Sequence, residues 1–337
     1  MKNSKIKSVQ ISNNNKRKEY LDWICGLMIL QMIAGHLVDN SHTNDVFDGL
    51  LHILSFFMPW FFFKSGMFFH PANNLHTTIR KAVKRLIIPF IVWGVTGEVI
   101  YIILSLIFHP EYDWIFYARL VKASIIDGKP AGGNGPLWYL LSLFIIKAIY
   151  TYLYGKCSDI ILLILAIGIP ATMYYTGWNW LYVVSHTLVG FFYFILGHKL
   201  VNYQFNKIIL IVASIIFISL AIFSPSYMSM TANDMIYGNY LLDFIYSLSA
   251  IIIINNLIKI TPPKLLNIVN IQAIGRNSII YLVVHRPILI TCSYLCPIIG
   301  IHNPMLIALT MTICLIIIIL FFSKWLHHPN YKWMIGA

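Results

Sequence analysis

The sequence predicts an all-α fold, a polytopic transmembrane helical bundle of about ten spans with both termini cytoplasmic. Three observations predict it. Of 337 residues, 58% are hydrophobic and 11% charged, with a mean hydropathy of +0.74; that balance belongs to multi-pass membrane proteins, not soluble domains. Ten apolar segments approach the length of about 20 residues that a bilayer crossing requires. Basic residues concentrate in alternate gaps between those segments, as the positive-inside rule demands. The formal net charge of +12 therefore reads as topology. No nucleic-acid-binding motif accompanies it, so nucleic acid is excluded as a partner.

Taken in order, residues 1–19 form a basic cytoplasmic tail without the pattern of a cleaved signal peptide. The spans are expected near 20–38, 52–70, 86–108, 136–154, 159–176, 183–200, 207–224, 237–258, 273–296 and 303–325. Residues 20–326 are then one membrane domain, and 327–337 a short cytoplasmic tail. Lys16, Arg17 and Lys18 precede the first span, and Arg80, Lys81, Lys84 and Arg85 follow the second. Lys156, Lys199, Lys207, Lys259, Lys264, Lys324 and Lys332 mark later gaps on the same side. The opposite gaps carry Asp39, Asp45, Asp48, Glu111, Asp113, Asp127 and Asp234, with only Arg119, Lys122 and Lys129 as basic residues. One of them, His109–Gly135, ends in GKPAGGNG and reads as a turn or a mobile rim. The chain has no soluble catalytic domain, so any chemistry must use the bundle and its loops.

Five cysteines occur, mostly inside apolar segments. Cys292 and Cys296 are four apart, yet no His, Asp or Glu joins them nearby; they read as small buried hydrophobes, and no metal site or disulfide framework is expected.

Polar residues inside spans are costly and draw attention to function. FFMPWFFFKSGMFF at 56–69 contains Lys64, Ser65 and Gly66 within an aromatic run. Lys64 either snorkels to the interface or lines an internal site with its neighbours. In the first span Asp22, Cys25, Ile29, Met32 and His36 share one helix face. Asp22 is either a helix-start charge or part of the site. His36 is either an interfacial residue bonded to a loop or a general base, a task its near-neutral titration suits. In GRNSIIYLVVHRP at 275–287, Ser278, Tyr281 and His285 share a face. Arg286 follows, and Pro287 frees a backbone carbonyl one turn back. That group is either a polar seam between helices or part of a substrate cavity. Arg80, Lys81, Lys84 and Arg85 are either topology charge beside anionic lipid or a clamp for phosphate oxygens. Glu98 and Asp243 are further ionisable groups within spans.

Five pieces, in order, resemble the membrane-bound acyltransferase family 3: YLDWICGLMILQMIAGH at 20–36, FFMPWFFFKSGMFF at 56–69, IRKAVKRLIIPFIVW at 79–93, GPLWYLLSLF at 135–144 and GRNSIIYLVVHRPI at 275–288. The resemblance covers essentially the whole chain. It implies an integral-membrane enzyme of the bacterial cytoplasmic (inner) membrane that moves an acyl group, usually acetyl, from coenzyme A to a hydroxyl of a cell-envelope polysaccharide or lipid-linked glycan. Acetyl-CoA is then the donor, the glycan and membrane lipids the partners, and no metal is needed.

The resemblance also assigns residues. The family histidine at the end of the first span falls on His36, and the late Asn-Ser and histidine fall on Asn277, Ser278 and His285. With Asp22 these form the expected catalytic set. The family's basic cluster falls on Arg80, Lys84 and Arg85, its Ser-Gly on Ser65 and Gly66, and its aromatic on Trp138; Arg85, Arg80, Lys84, Ser65 and Trp138 form the expected donor-binding set. One position departs. The family places an arginine eleven residues before the histidine, where this chain has Cys25. Another basic residue then substitutes, the donor contact differs, or activity is weak or absent. Two other classes of function are carried alongside: a transporter or flippase with Pro-broken spans, and a non-catalytic relative in glycan assembly.

Overall fold

Rows of isoleucine, leucine and valine that no protein surface covers define the outside of the bundle. The computed structural model describes residues 19–43, 51, 53–70, 75–130, 132–177, 182–203, 205–223, 240–261 and 270–337, all-helical apart from connections. The helices are α1 (Glu19–Ser41), α2 (Phe57–Met67), α3 (Leu75–Ala82), α4 (Ile88–Phe108), α5 (Trp114–Ile125), α6 (Trp138–Leu153), α7 (Asp159–Thr176), α8 (Tyr182–Leu200), α9 (Lys207–Phe223), α10 (Tyr240–Ile260), α11 (Ile271–Arg276), α12 (Ser278–Ile298) and α13 (Pro304–Leu326). A π-helical turn, Val83–Ile87, joins α3 to α4. Ile91, Val95, Val99 and Ile103 of α4 point outward at helical spacing, as do Ile208, Ile211, Ile215, Ile218 and Ile222 of α9 and Leu306, Leu309, Ile313 and Ile317 of α13. A soluble monomer rarely exposes such continuous apolar faces; lipid covers them here.

Among the described residues, eight helical segments are long and apolar enough to cross a membrane, which makes the chain a multi-pass membrane protein. Two expected spans are shorter. The 52–70 segment contains the 11-residue α2, and the 207–224 segment the 17-residue α9. At 1.5 Å per residue these reach only about 16 and 26 Å, against a hydrocarbon core of about 30 Å. The aromatic richness of 56–69 has a different cause: α2 is buried in protein. Gly66 of α2 faces the Phe194 carbonyl of α8, and Gly197 of α8 faces the Phe63 carbonyl of α2; a methyl group on either glycine would collide with backbone. The two helices therefore touch backbone to backbone, as small residues permit within membranes. Trp60, Phe62 and Phe63 fill the surrounding core.

The expected tail 1–19 and the charges Asp45, Asp48, Asp234 and Lys264 lie at or beyond the edges of the described residues, as does the start of the 237–258 span. The His109–Gly135 segment is not a loose rim. Asp113 caps α5 by accepting a hydrogen bond from the Phe116 amide at 2.9 Å. Gly133 then packs directly on Gly97 of α4, and the Gly132 and Gly133 amides donate to Glu98 Oε1 at 3.0 and 3.3 Å. At the other end of the chain, residues 332–335 form a 3₁₀ turn that packs on α4. There Trp93 Nε1 donates to the Met334 carbonyl at 3.0 Å.

Candidate active site

The Pro287 ring removes one amide from α12, so the Val283 carbonyl loses its helical partner. Asn134, buried at the start of the 3₁₀ turn before α6, fills the gap: its Nδ2 donates to that carbonyl at 2.8 Å. The bond fastens the middle of α12 to the glycine-rich segment and so fixes the residues beside the proline. His285 is fully buried, and its Nδ1 lies 2.8 Å from the Tyr281 carbonyl. A carbonyl only accepts, so Nδ1 carries the proton and the neutral ring keeps its lone pair on Nε2. Among the described residues that Nε2 has no hydrogen-bond partner.

His36 of α1 stacks on this ring, with centroids 5.4 Å apart and planes 28° from parallel. Arg286 lies within electrostatic reach of His36, and among the described residues its buried Nη1 has no hydrogen-bond partner. Two residues distant in sequence, one near the end of the first helix and one in the ninth expected span, thus form a single imidazole pair beside a guanidinium.

A cavity opens on each side of the pair. The inner one, about 250 Å³, reaches along α1 from Cys25 to Met32 and along α12 from Ser278 to Leu282. Met58, Phe61 and Ser65 bring one face of α2 to it, Phe68 follows just beyond that helix, and Leu86, the neighbour of Arg85, also lines it. The outer one, about 560 Å³, takes Asn40 of α1, Arg286 and Ile290 of α12, and the aromatic residues Tyr101, Phe108, His109 and Tyr294. On α1, His36 stands one turn beyond Met32 and one turn short of Asn40. On α12, His285 stands between Leu282 and Ile290. The histidine layer thus falls between the two sets of lining residues without lining either cavity itself.

The expected residues distribute unevenly over this frame. His36 and His285 come together. Ser278 and Ser65 line the inner cavity, and the Ser65 hydroxyl is 2.9 Å from that of Tyr139, another lining residue. Asn277 occupies the break between α11 and α12. Arg85 and Lys84 sit exposed on the π-helical turn at the inner end, and Arg80, also exposed, lies on α3. Asp22 is separate: it is buried at the far end of α1, against Gly275 of α11, about 21 Å from His36 along the helix. Trp138 is also separate, packed against His186 with ring centroids 3.9 Å apart. Lys64 resolves towards the internal reading, since it lines the inner cavity. Asn134 and Lys147 were not singled out in the sequence. A Pro287 whose freed carbonyl needs a donor is the one signal that points to Asn134.

Along α1 and α12 the imidazole pair falls between the residues that line one cavity and those that line the other, and Arg286 itself lines the outer one. The model of acyltransferase family 3, described as an acyltransferase domain, matches residues 18–324. No curated protein and no solved structure matches the chain.

Proposed function

The chain belongs to acyltransferase family 3, and on that premise we propose a membrane O-acyltransferase that moves an acyl group, acetyl by the family's habit, from acyl-coenzyme A to a hydroxyl of a cell-envelope polysaccharide or lipid-linked glycan. The observation that carries the proposal is the stacked His36–His285 pair between two cavities. By the charge rule the Arg85 end faces the cytoplasm of a bacterial cell and the His109 end faces outward. The donor then enters the inner cavity and the acceptor the outer one.

Bound acyl-coenzyme A supplies an acyl carbon activated as a thioester. His36 takes the proton of the acceptor hydroxyl as its oxygen bonds to that carbon, and passes the proton to the sulfur as the carbon–sulfur bond breaks. His285, its lone pair on Nε2, holds a second proton-accepting position at the same point. Arg286, with an unpartnered Nη1, stabilises the negative oxygen of the tetrahedral stage. Ser278 and Asn277 begin α12 about 10 Å below His285; they serve the donor arm, together with Ser65 and Tyr139. Arg85, Arg80 and Lys84 attract the donor's phosphates at the entrance. Asp22 and Trp138 hold helices in place.

A Pro-kinked α12 between two cavities also fits a transporter, and one experiment separates the readings. Purified protein in nanodiscs is given labelled acetyl-coenzyme A with and without glycan acceptor, and free thiol and labelled glycan are measured. Thiol release that rises with acceptor and disappears in His36→Gln supports acyl transfer. Movement of unmodified glycan without thiol release favours the transporter.

A further inference from the structure

Lys64 and Lys147 both line the inner cavity, one from α2 and one from α6. Cys25, the position where the resemblance expects an arginine, lines the same cavity from α1. We propose that Lys64 and Lys147 form an anion-binding pair that supplies, from two other helices, the positive charge missing at Cys25, and that the anion they take is a phosphate of the donor. This inference rests on the acyl-coenzyme A reading.

Charge is the first support. No carboxylate is among the described residues that line the cavity, and among the described residues neither lysine has an ion-pair partner. Removing an ammonium group from water without a counter-charge is costly. Lys64 recovers part of that cost over the Trp60 ring, 5.5 Å from its centroid. Lys147 does not; its electrostatic neighbour is Arg85, a like charge. Two cations without counter-charge on the lining of one largely apolar cavity favour an anion inside it.

Position is the second support, and it selects phosphate over a charged acyl group. Lys64 lies three residues from the inner end of α2, and Lys147 lies beside Arg85, so the pair marks the inner end of the cavity. From Cys25 to His36 is about 16 Å along α1, comparable with the reach of an extended pantetheine arm. An anion held at the lysines therefore leaves the thioester at the histidines. A carboxylate on the acyl group would lie at the opposite end, away from both lysines. An anionic lipid headgroup shares the phosphate chemistry and is the competing source.

The test compares wild type, Lys64→Met, Lys147→Met and Lys147→Arg in zwitterionic nanodiscs. Coenzyme A binding is measured by calorimetry, and turnover is measured on acetyl-coenzyme A and on acetyl-pantetheine, which lacks the phosphates. The expected result is that each Met variant weakens coenzyme A binding about tenfold or more, that Lys147→Arg retains it, and that turnover of acetyl-pantetheine is unchanged. Equal loss on both donors would mean a structural role and would overturn the pair. Unaltered coenzyme A binding in both Met variants overturns it too, while the acyltransferase reading stands if wild type still turns over. Binding of phosphatidylglycerol at this cavity in preference to coenzyme A, seen as loss of coenzyme A binding when that lipid is added, assigns the pair to lipid and also overturns the proposal. A wild-type protein with neither turnover nor coenzyme A binding fails both readings together.

Discussion

Replacing Asn134 with Ala leaves the Val283 carbonyl buried without a donor, because Pro287 has no amide to offer it. An unsatisfied buried acceptor costs about 1–3 kcal/mol, and the lipid-facing bundle offers no bulk water to replace the bond. Pro287→Ala restores the amide and hence the intrahelical bond, so it removes the dependence on Asn134. In a double-mutant cycle, Asn134→Ala should cost about 1–3 kcal/mol in the wild-type background and about 1 kcal/mol less with Pro287→Ala present. Unfolding in mild detergent, followed by denaturant titration, reads both values. The same bond positions His285 and Arg286, so turnover should fall with Asn134→Ala even where the protein remains folded. A cost that is the same in both backgrounds would refute the link between the proline and the asparagine.

Three further outcomes follow from the geometry. His36→Gln and His285→Gln should each lower acyl transfer by about 10²–10⁴-fold with unfolding midpoints near wild type; a variant with full turnover would remove that ring from the proton path. Gly197→Ala places a methyl group against the Phe63 carbonyl and should destabilise the fold by about 1–3 kcal/mol, read as a lower melting temperature in detergent; an unchanged melting point would show that α2 and α8 separate easily. Trp93→Phe removes the hydrogen bond to the Met334 carbonyl, worth about 0.5–1.5 kcal/mol, and should speed proteolysis of the C-terminal turn without altering α4.

Hydropathy made the bundle legible because each lipid-crossing helix must satisfy its own backbone and present apolar side chains outward. At α2 the same aromatic run serves burial against α8, and run length alone does not separate lipid from protein as the covering. His36 and His285 were readable as polar residues on marked helix faces, but their stacking was not, since nothing in either helix specifies its partner. Pro287 announced a freed carbonyl, yet its donor lies 149 residues away in sequence. Lys147 is hard to read for a related reason: a lysine within a span has the same appearance whether its long stem snorkels towards water or faces a cavity. Asp22 shows the converse. It shares a helix face with His36, but a face is long, and the two ends of α1 pack against different partners.

The central claim is that the histidine pair joins two spaces that open on opposite sides of the membrane. Sealed proteoliposomes of one orientation test it most directly, with acetyl-coenzyme A supplied only at the Arg85 side and glycan only at the His109 side. The account predicts acylated glycan from this arrangement, and none when the two substrates are exchanged between sides. Product formed only when donor and acceptor share one side would contradict it.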